Sequence, residues 1–430
     1  MIERIAIKNF KAIGPDGVDI KLAPLTLFVG ENGTGKSSAL EGLAVLAQST
    51  RPTMKYGLRL DGSLVTLTDD HAPIHHAGRT EVPIELSVDW VDARGQPCRA
   101  GWSVRQEGLT GRGEWKQFIE DSTWERIEFE AAIRLSGSTP TIATMRGKAP
   151  ASFPVPGHAN RFLDEHLFLA ADPVRTSGLV AWQLRAEGLA GMFTGDRVRY
   201  IAALRGGRLM DRKAAGAPIR VGAHGEDTIR LLNLLQGKGT RAETDLLAEL
   251  AKRFGMPRLT AHWAGGDVLE VTFDDPHAGT RLDVFSAGYG SQQALPVLAD
   301  MVHAKQGSML LAEEIEHSCH PKWVAAWGET LAEVVTKRKI QIVATTHAPD
   351  LVLAVTLAIR KGTIPAKDVA IYQFDRDEKG ARATPVSIGD DGVLEAGWIE
   401  TFAKAERALL DPLLFGDDEE TPSRASGGGT

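Results

Sequence analysis

The feature of this sequence that could do chemistry is a glycine-rich loop that ends in a lysine and a serine. Residues 30–37 read Gly-Glu-Asn-Gly-Thr-Gly-Lys-Ser, the Gly-x4-Gly-Lys-Ser spacing of a phosphate-binding loop. Glycines let such a backbone curl until its N–H groups point at phosphate oxygens. We predict that Lys36 contacts the β- and γ-phosphates and that the Ser37 hydroxyl is a ligand of Mg²⁺. The predicted nucleotide-binding residues here are Gly30, Glu31, Asn32, Gly33, Thr34, Gly35, Lys36, Ser37 and Ser38.

The segments on either side of the loop have the patterns that position it. Residues 25–29 are β-formers and predict a buried strand, whereas residues 36–48 carry apolar side chains at helical spacing. Strand, glycine loop and helix in that order are the context that this motif requires. We therefore predict that the chain binds ATP together with Mg²⁺.

A second pair of chemical groups follows an apolar strand in the C-terminal half. Residues 309–312 read Met-Leu-Leu-Ala and lead directly to Glu313 and Glu314. We assign Glu313 to Mg²⁺, through water, and Glu314 to the general base that orients and deprotonates the attacking water. The alternative is a strand that enters an ordinary solvated turn.

Two further turns are candidates for phosphate contact. The predicted strand 340–346 ends at His347, whose imidazole could contact a γ-phosphate or the attacking water, unless it only caps a helix. The segment 285–292 reads Phe-Ser-Ala-Gly-Tyr-Gly-Ser-Gln and opens a predicted helix at residues 293–305. Since a turn that opens a helix binds anions, we include Ser286 and Gly288 among the nucleotide-binding residues.

The order of these motifs resembles the ATP-binding-cassette (ABC) class of P-loop ATPases, specifically its DNA-associated branch. That branch includes RecF-type, structural-maintenance-of-chromosomes (SMC) and overcoming-lysogenisation-defect (OLD) proteins. Residues 4–11, 200–205 and 346–349 are also similar to segments of those proteins. The resemblance implies an ATP-dependent homodimer, in which Ser286 and Gly288 of one chain contact the nucleotide held by the other. After the acidic pair the sequence departs from the family pattern, because residues 315–321 read Ile-Glu-His-Ser-Cys-His-Pro.

The predicted fold class is α/β, an ABC-ATPase-like P-loop sandwich of a β-rich lobe and a mixed sheet, split by a mainly helical insertion. We expect residues 1–157 to form the N-terminal ATPase lobe and 158–258 the insertion. Residues 259–415 form the expected C-terminal lobe, and the acidic, glycine-rich residues 416–430 a disordered tail. Strands are predicted near 4–10, 18–22, 25–29 and 84–90, and helices at 228–235, 242–254, 322–339 and 395–410. No long heptad run occurs, which favours the short-insert OLD-like branch.

Charge and composition restrict the partners. The chain has 430 residues and a formal net charge of −7, so it is not basic throughout. Basic residues concentrate between Arg197 and Arg220, where they could bind the backbone of a nucleic acid. Alternatively, some of these arginines pair with acids at the junction of the lobes, and Arg205 lies near the nucleotide. With two cysteines, no eighteen-residue apolar stretch and no signal peptide, we expect a cytoplasmic protein that does not contact a membrane.

Three other clusters have weaker chemical interpretations. His317, Cys319 and His320 could be drawn as metal ligands, as could His71, His75 and His76, but neither set has a typical four-ligand spacing. The pair Asp375 and Asp377 could belong to a nuclease, although residues 369–388 are more typical of a β-hairpin.

Three functions remain open from the sequence. The first is an ATPase that gates a DNA-directed or antiphage defence response through a nuclease or another effector protein. The second is a RecF-type repair ATPase that binds DNA directly. The third is the nucleotide-binding subunit of a transporter, which the long separation between Ser37 and Glu313 disfavours.

Overall fold

The computed structural model describes most of the chain, with gaps. The described residues are 1–49, 60, 62–67, 75–78, 81–91, 95–106, 111–121, 124–136, 139–148, 197–205, 220–265, 268–275 and 279–395. The predicted helix at 395–410, the tail from 416 and much of the predicted insertion lie outside them.

The strands and helices of the described residues are numbered in chain order. The strands are β1 (Ile2–Lys8), β2 (Val18–Lys21), β3 (Leu25–Val29), β4 (Ile84–Val91), β5 (Pro97–Gln106), β6 (Gly111–Asp121), β7 (Trp124–Ser136), β8 (Thr139–Lys148), β9 (Val198–Ile201), β10 (Thr260–Gly265), β11 (Val268–Asp274), β12 (Arg281–Asp283), β13 (Met309–Ala312), β14 (Gln341–Thr346), β15 (Val369–Asp377) and β16 (Gly380–Val386). The helices are α1 (Lys36–Ser49), α2 (Thr228–Lys238), α3 (Arg241–Arg253), α4 (Tyr289–His303), α5 (Pro321–Arg338) and α6 (Pro349–Arg360).

A six-stranded sheet in the order β16-β15-β3-β14-β13-β9 forms the centre of the fold. Its strands are parallel except for β16, which returns from β15 as an antiparallel hairpin. Every residue of β3, β13 and β14 is buried, as expected for parallel strands covered on both faces. The register places Thr346 beside Val29, and Ala312 beside Ala344. Because the strands are parallel, the segments that follow β3, β13 and β14 meet at one edge.

Two layers cover the faces of this sheet. On one face, Phe28, Leu311 and Val343 join a core with helix α1 and with strands β1, β2, β4 and β5 of the antiparallel sheet β2-β1-β4-β5-β6-β7-β8. On the other face, Leu27 and Ala344 join a second core built with the remaining helices. Sheet, helix, sheet and helices in this order confirm the predicted α/β sandwich.

The structure differs from the sequence-based expectation in the interval 158–258. Val198–Ile201 is not helical but forms β9, the edge strand of the central sheet, where Tyr200 lies beside Leu311. Four residues are too few to show a strand period by themselves, and the pairing with β13 decides the conformation. Helices α2 and α3 agree with the helices predicted near them.

The segment after residue 259 forms a sheet of its own. Strands β10, β11 and β12 make a separate three-stranded antiparallel sheet. Strand β11 alternates buried and half-buried residues, typical of a sheet packed on one face, and that face contacts helix α2. The proposed domain boundaries remain predictions. Within the described part of the chain, no helix is long and apolar enough to cross a membrane.

Candidate nucleotide-binding site

The loop between β3 and α1 has a conformation that only glycine adopts easily. Gly30, Gly33 and Gly35 have φ angles of +154°, +80° and +103°. A Cβ atom at Gly30 would overlap the carbonyl oxygen of Phe374, and one at Gly35 would overlap the side chain of Ala381. The loop is therefore folded against the hairpin β15–β16, a contact that the sequence motif alone does not reveal.

The other residues of the loop divide into exposed and inward-facing groups. Glu31, Asn32 and Ser37 are exposed, so Ser37 is accessible in the first turn of α1. The hydroxyl of Thr34 donates a hydrogen bond to the Glu31 carbonyl oxygen at 2.8 Å. Ser38 is buried. Its hydroxyl accepts a hydrogen bond from the backbone N–H of Ala12 at 3.3 Å, which connects helix α1 to the segment that follows β1.

Lys36 brings a buried positive charge to the site. Its amine donates to the carbonyl oxygens of Gly30 and Glu31, each at 2.7 Å, and the residue is 6% exposed. Burial lowers the pKa of Lys36, and nearby carboxylates oppose this shift, in decreasing order those of Glu314, Glu316, Glu313 and Glu31. A buried ammonium group facing several carboxylates fits a site for a polyphosphate together with a divalent cation.

Glu313 follows strand β13 at the same edge of the sheet. Its backbone N–H donates to the carbonyl oxygen of Ile201 at 2.8 Å, so β9 fixes where the side chain begins. Burial raises the pKa of Tyr200, as do the nearby carboxylates of Glu313 and Glu41 and a hydrogen bond between the Tyr200 hydroxyl and Glu313. The half-buried carboxylate and the Ser37 hydroxyl are hard oxygen donors, so this donor set fits Mg²⁺.

Glu314 occupies a strained turn that the sequence did not predict. Its φ angle is +39°, in the left-handed region that side chains other than glycine rarely adopt. Its backbone N–H donates to the Thr345 hydroxyl at 3.0 Å, and its carboxylate lies 3.4 Å from Nδ1 of His317. The side chain is 26% exposed, so water can reach it. Strained residues of this kind cluster at functional sites.

Glu316 is a site residue that the sequence reasoning missed. The residue is 5% exposed, and its Oε1 accepts hydrogen bonds from the Thr346 hydroxyl and from the backbone N–H of His347, the latter at 3.2 Å. Among the described residues, its buried Oε2 has no hydrogen-bond partner. The available signal was the spacing, since Glu316 is the third acid of a Glu-Glu-x-Glu run.

His347 lies at the tip of β14 as predicted, with its side chain 48% exposed. Its Nδ1 is 3.8 Å from Oε1 of Glu316. The alternative of a helix-capping histidine does not hold, because Ala348 is the N-cap of α6. By contrast, His320 does cap a helix, since its ring accepts a hydrogen bond from the N–H of Lys322 at the start of α5.

Ser286 and Gly288 lie in the turn before α4, where Gly288 is the N-cap. Both residues are exposed, and the following Tyr289 is 49% exposed. They are thus accessible to another molecule, as a contact from a second chain requires.

The basic segment is only partly available to a nucleic acid. Arg199 is buried and forms an ion pair with the equally buried Asp300 of α4, so the structural interpretation is correct for it. Arg205 is also buried, behind the acidic turn that residues 313–316 form after β13. Neither can contact phosphate backbone in this fold. Arg197 is exposed and Arg220 half-buried, whereas Arg208, Arg212 and Lys213 lie outside the described residues.

The remaining clusters have structural roles. His75 and His76 contact the backbone carbonyl oxygens of Val82 and Lys11, each at 2.9 Å. Asp375 and Asp377 lie on the predicted hairpin, where Asp377 pairs with Arg382. No group of three or more histidine, cysteine or acidic side chains is arranged to hold a metal ion in the part of the chain that the structure describes.

Three comparisons relate the chain to known proteins. The family model described as "AAA domain, putative AbiEii toxin, Type IV TA system" matches residues 25–354. The DNA repair protein rad-50 of Caenorhabditis elegans is 28% identical over 124 residues, 28% of this chain and 8% of that protein. The match therefore spans less than a tenth of this relative's length.

Solved structures with a similar fold include heads of SMC proteins. The SmcHead bound to the C-winged helix domain of ScpA has a TM-score of 0.47 at 12% identity, covering 90% of this chain and 97% of that chain. The SMC head domain from Thermotoga maritima has a TM-score of 0.37 at 10% identity, with 90% and 99% covered. The recombination mediator protein RecF has a TM-score of 0.30 at 9% identity, with 90% and 98% covered.

The family match extends from β3 through the phosphate-binding loop and β13, the strand that precedes Glu313, into α6. It agrees with the predicted resemblance to P-loop ATPases of the RecF and SMC type. The chain belongs to the P-loop ATPase family described as "AAA domain, putative AbiEii toxin, Type IV TA system".

Proposed function

We propose that the chain binds ATP with Mg²⁺ and hydrolyses it to ADP and phosphate. The observation that carries this proposal is geometric: the parallel strands β3, β14 and β13 bring the loop with the buried Lys36 to the same edge of the sheet as Glu313 and Glu314. The loop glycines present backbone N–H groups to phosphate, and Lys36 neutralises the β- and γ-phosphate oxygens.

The remaining roles follow from position at the sheet edge. Ser37 binds Mg²⁺ directly and Glu313 binds it through water; the cation, when bound, supplies charge neutralisation of the phosphates. Glu314 orients the attacking water and accepts its proton, and His347 contacts the γ-phosphate. Glu316 holds the turn that carries His347 through the two hydrogen bonds at its Oε1.

Two substitutions separate binding from turnover. Lys36→Ala removes the charge that meets the phosphates and should abolish tight ATP binding, measured with a fluorescent ATP analogue. Glu314→Gln removes the base but leaves the cation ligands, so it should retain binding and lose hydrolysis. Lys361→Ala changes the exposed C-cap of α6, Glu329→Gln changes an exposed residue of α5, and both serve as matched controls. ATP hydrolysis by Glu314→Gln at the parent rate would contradict the assignment of the base.

We further infer that ATP joins two copies head to tail, with Ser286 and Gly288 of one chain at the γ-phosphate held by Lys36 of the other. Support comes from the exposure of this turn and from the complete phosphate loop that each chain already carries. Light scattering on Glu314→Gln should show more dimer with ATP than with ADP. A mixture of Lys36→Ala and Ser286→Arg chains should recover partial activity, because each heterodimer has one intact site. No recovery at high protein concentration would contradict this arrangement.

The cellular role that we propose is a DNA-directed or antiphage defence response, gated by ATP through a nuclease or another effector protein, as in the OLD-like branch. The family description, which names a putative toxin, supports an effector function. Affinity purification of the native protein with and without ATP tests this role. A nucleotide-dependent protein partner is expected, and its absence under both conditions would argue against gating.

The alternative is a RecF-like ATPase that binds DNA directly, which the similarity to a DNA repair protein favours. With three or four phosphate contacts, the log–log salt slope of binding to duplex DNA would be about −3. Substituting alanine for Arg208, Arg212 and Lys213 should flatten this slope without changing basal ATPase activity. If the parent does not bind DNA with ATP present, the effector role is the better explanation.

A further inference from the structure

We propose that Arg205 is a positioning residue for Glu314, because its guanidinium group fixes the strained turn from which that carboxylate projects. The proposal rests on the function proposed above, in which Glu314 is the base. It adds a buried residue that lies behind the turn carrying Glu314.

The Arg205 guanidinium group donates several hydrogen bonds to the surrounding backbone. All three of its nitrogens donate hydrogen bonds, and the acceptors are backbone carbonyl oxygens. Nη1 donates to Ala202 at 3.0 Å and Glu313 at 2.7 Å, Nη2 to Glu314 at 3.0 Å and Ile315 at 3.4 Å, and Nε to Gln293 at 3.1 Å. Three of these acceptors are consecutive residues of the acidic turn.

That arrangement matters because the turn is strained. The carbonyl oxygens of Glu313, Glu314 and Ile315 all accept hydrogen bonds from this guanidinium group, and Glu314 has an unfavourable φ angle of +39°. Such a conformation persists only when its surroundings over-determine it. Arg205 restrains the turn from one side through its hydrogen bonds to the carbonyl oxygens. The Thr345 hydroxyl restrains it from the other side by accepting a hydrogen bond from the Glu314 N–H at 3.0 Å.

The backbone of Arg205 is itself anchored to helix α4. The backbone N–H of Arg205 donates to Oε1 of Gln293 on α4 at 3.1 Å, and the Gln293 side-chain amide donates back to the Arg205 carbonyl oxygen. Arg205 is 1% exposed, and burial lowers its pKa to about 10 against the opposing effect of nearby Cys319 and acidic groups. Burying a cation among neutral carbonyl groups is unfavourable. The backbone geometry that Arg205 holds explains why this cation is buried here.

The central experiment compares Arg205→Lys with Arg199→Lys. Lysine keeps the positive charge, but a single amine cannot span three carbonyl oxygens as a planar guanidinium group does. We expect kcat to fall about 100-fold, the usual cost of displacing a catalytic group by about 1 Å, with KM for ATP within about twofold of the parent. Arg199 is as deeply buried but pairs with Asp300, so Arg199→Lys should lower the melting temperature and leave kcat within about threefold.

A second measurement separates positioning from general damage. In the Glu314→Gln background there is no base to misplace, so Arg205→Lys should change the residual single-turnover rate by less than about twofold. An equal loss in both backgrounds, or an unchanged kcat in the parent background, would overturn the proposal. If Arg205→Lys does not fold, Thr345→Val removes the opposite restraint, should lower kcat in the same way, and should be rescued by Thr345→Ser.

Hydrogen exchange gives a readout that does not depend on activity. Peptides covering residues 313–319 should exchange at least about tenfold faster in Arg205→Lys than in the parent or in Arg199→Lys. Unchanged exchange would overturn the proposal even if the protein has no ATPase activity. Absence of hydrolysis in the parent, with faster exchange in Arg205→Lys, would instead refute the proposed function and leave the structural role of Arg205 standing.

Discussion

Glu316 offers a quantitative test of how the acidic turn is joined to β14. The substitution Glu316→Ala removes the acceptor of two hydrogen bonds, from the Thr346 hydroxyl and the His347 N–H. Hydrogen bonds to a charged group contribute about 1.5–3 kcal/mol each. Part of this gain is offset because Oε2 is buried without a partner among the described residues. We therefore expect a net loss of about 3 kcal/mol in the free energy of unfolding.

Glutamine at the same position should behave differently. Glu316→Gln keeps a carbonyl oxygen that can accept both hydrogen bonds and removes the buried carboxylate oxygen that has no hydrogen-bond partner among the described residues, so it should cost less than about 1 kcal/mol. For a chain of 430 residues, a loss of 3 kcal/mol corresponds to a decrease of about 3 °C in melting temperature. Differential scanning calorimetry resolves such a shift.

The control is Glu329→Ala, which makes the same deletion on the exposed surface of α5 and should change stability by less than about 0.5 kcal/mol. ATPase activity should follow the same order, falling in Glu316→Ala and largely retained in Glu316→Gln, because His347 depends on the turn. If glutamine destabilises as much as alanine, the hydrogen bonds at Oε1 are not what holds this turn, and the reasoning is wrong.

Two further predictions test backbone and charge. Gly30→Ala should weaken ATP binding more than tenfold, because the added Cβ would overlap the Phe374 carbonyl oxygen. A Cβ at Gly33 would meet no atom within 4 Å, so Gly33→Ala should cost only about 1–2 kcal/mol of stability. Equal effects of the two substitutions in an ATP-binding titration would contradict this. Although burial acts to raise it, ion pairs with two arginines hold the pKa of Asp89 below its ordinary value. Because the pKa of Asp89 is lower in the folded than in the unfolded chain, the unfolded chain binds more protons. Asp89 therefore contributes its full stability above the ordinary aspartate pKa, and this stability is lost as the pH falls through the lowered pKa of the folded state. Asp89→Asn should therefore lower the melting temperature at pH 7, and its difference from the parent should vanish at low pH; a pH-independent difference would refute the linkage.

The parts of the site that the sequence could predict are contiguous in the chain. The phosphate loop, its flanking strand and helix, and the apolar strand ahead of Glu313 were recognisable because local spacing alone carries the signal. The α/β sandwich, which the resemblance to ABC-class ATPases implied, is confirmed. The chemical roles of Lys36, Glu314 and His347 stay predictions.

The segments that local patterns did not specify are those whose conformation depends on a distant partner. β9 is a strand because β13 offers it a parallel neighbour, and the four-residue segment has no period of its own. The small sheet β10–β12 likewise owes its separation to packing on α2. Short elements of this kind are selected by tertiary pairing and not by local preference.

By itself, then, the sequence determined where the phosphate-binding-loop motif and its flanking strand and helix lie, because loop glycines and apolar periodicity act locally. Only the tertiary structure decided which side chains surround the acidic turn. Arg205 precedes that turn by more than a hundred positions and Thr345 follows it by about thirty, yet both hold Glu314. The physical reason is that the register of parallel strands brings the ends of distant segments together, and no local pattern encodes that register.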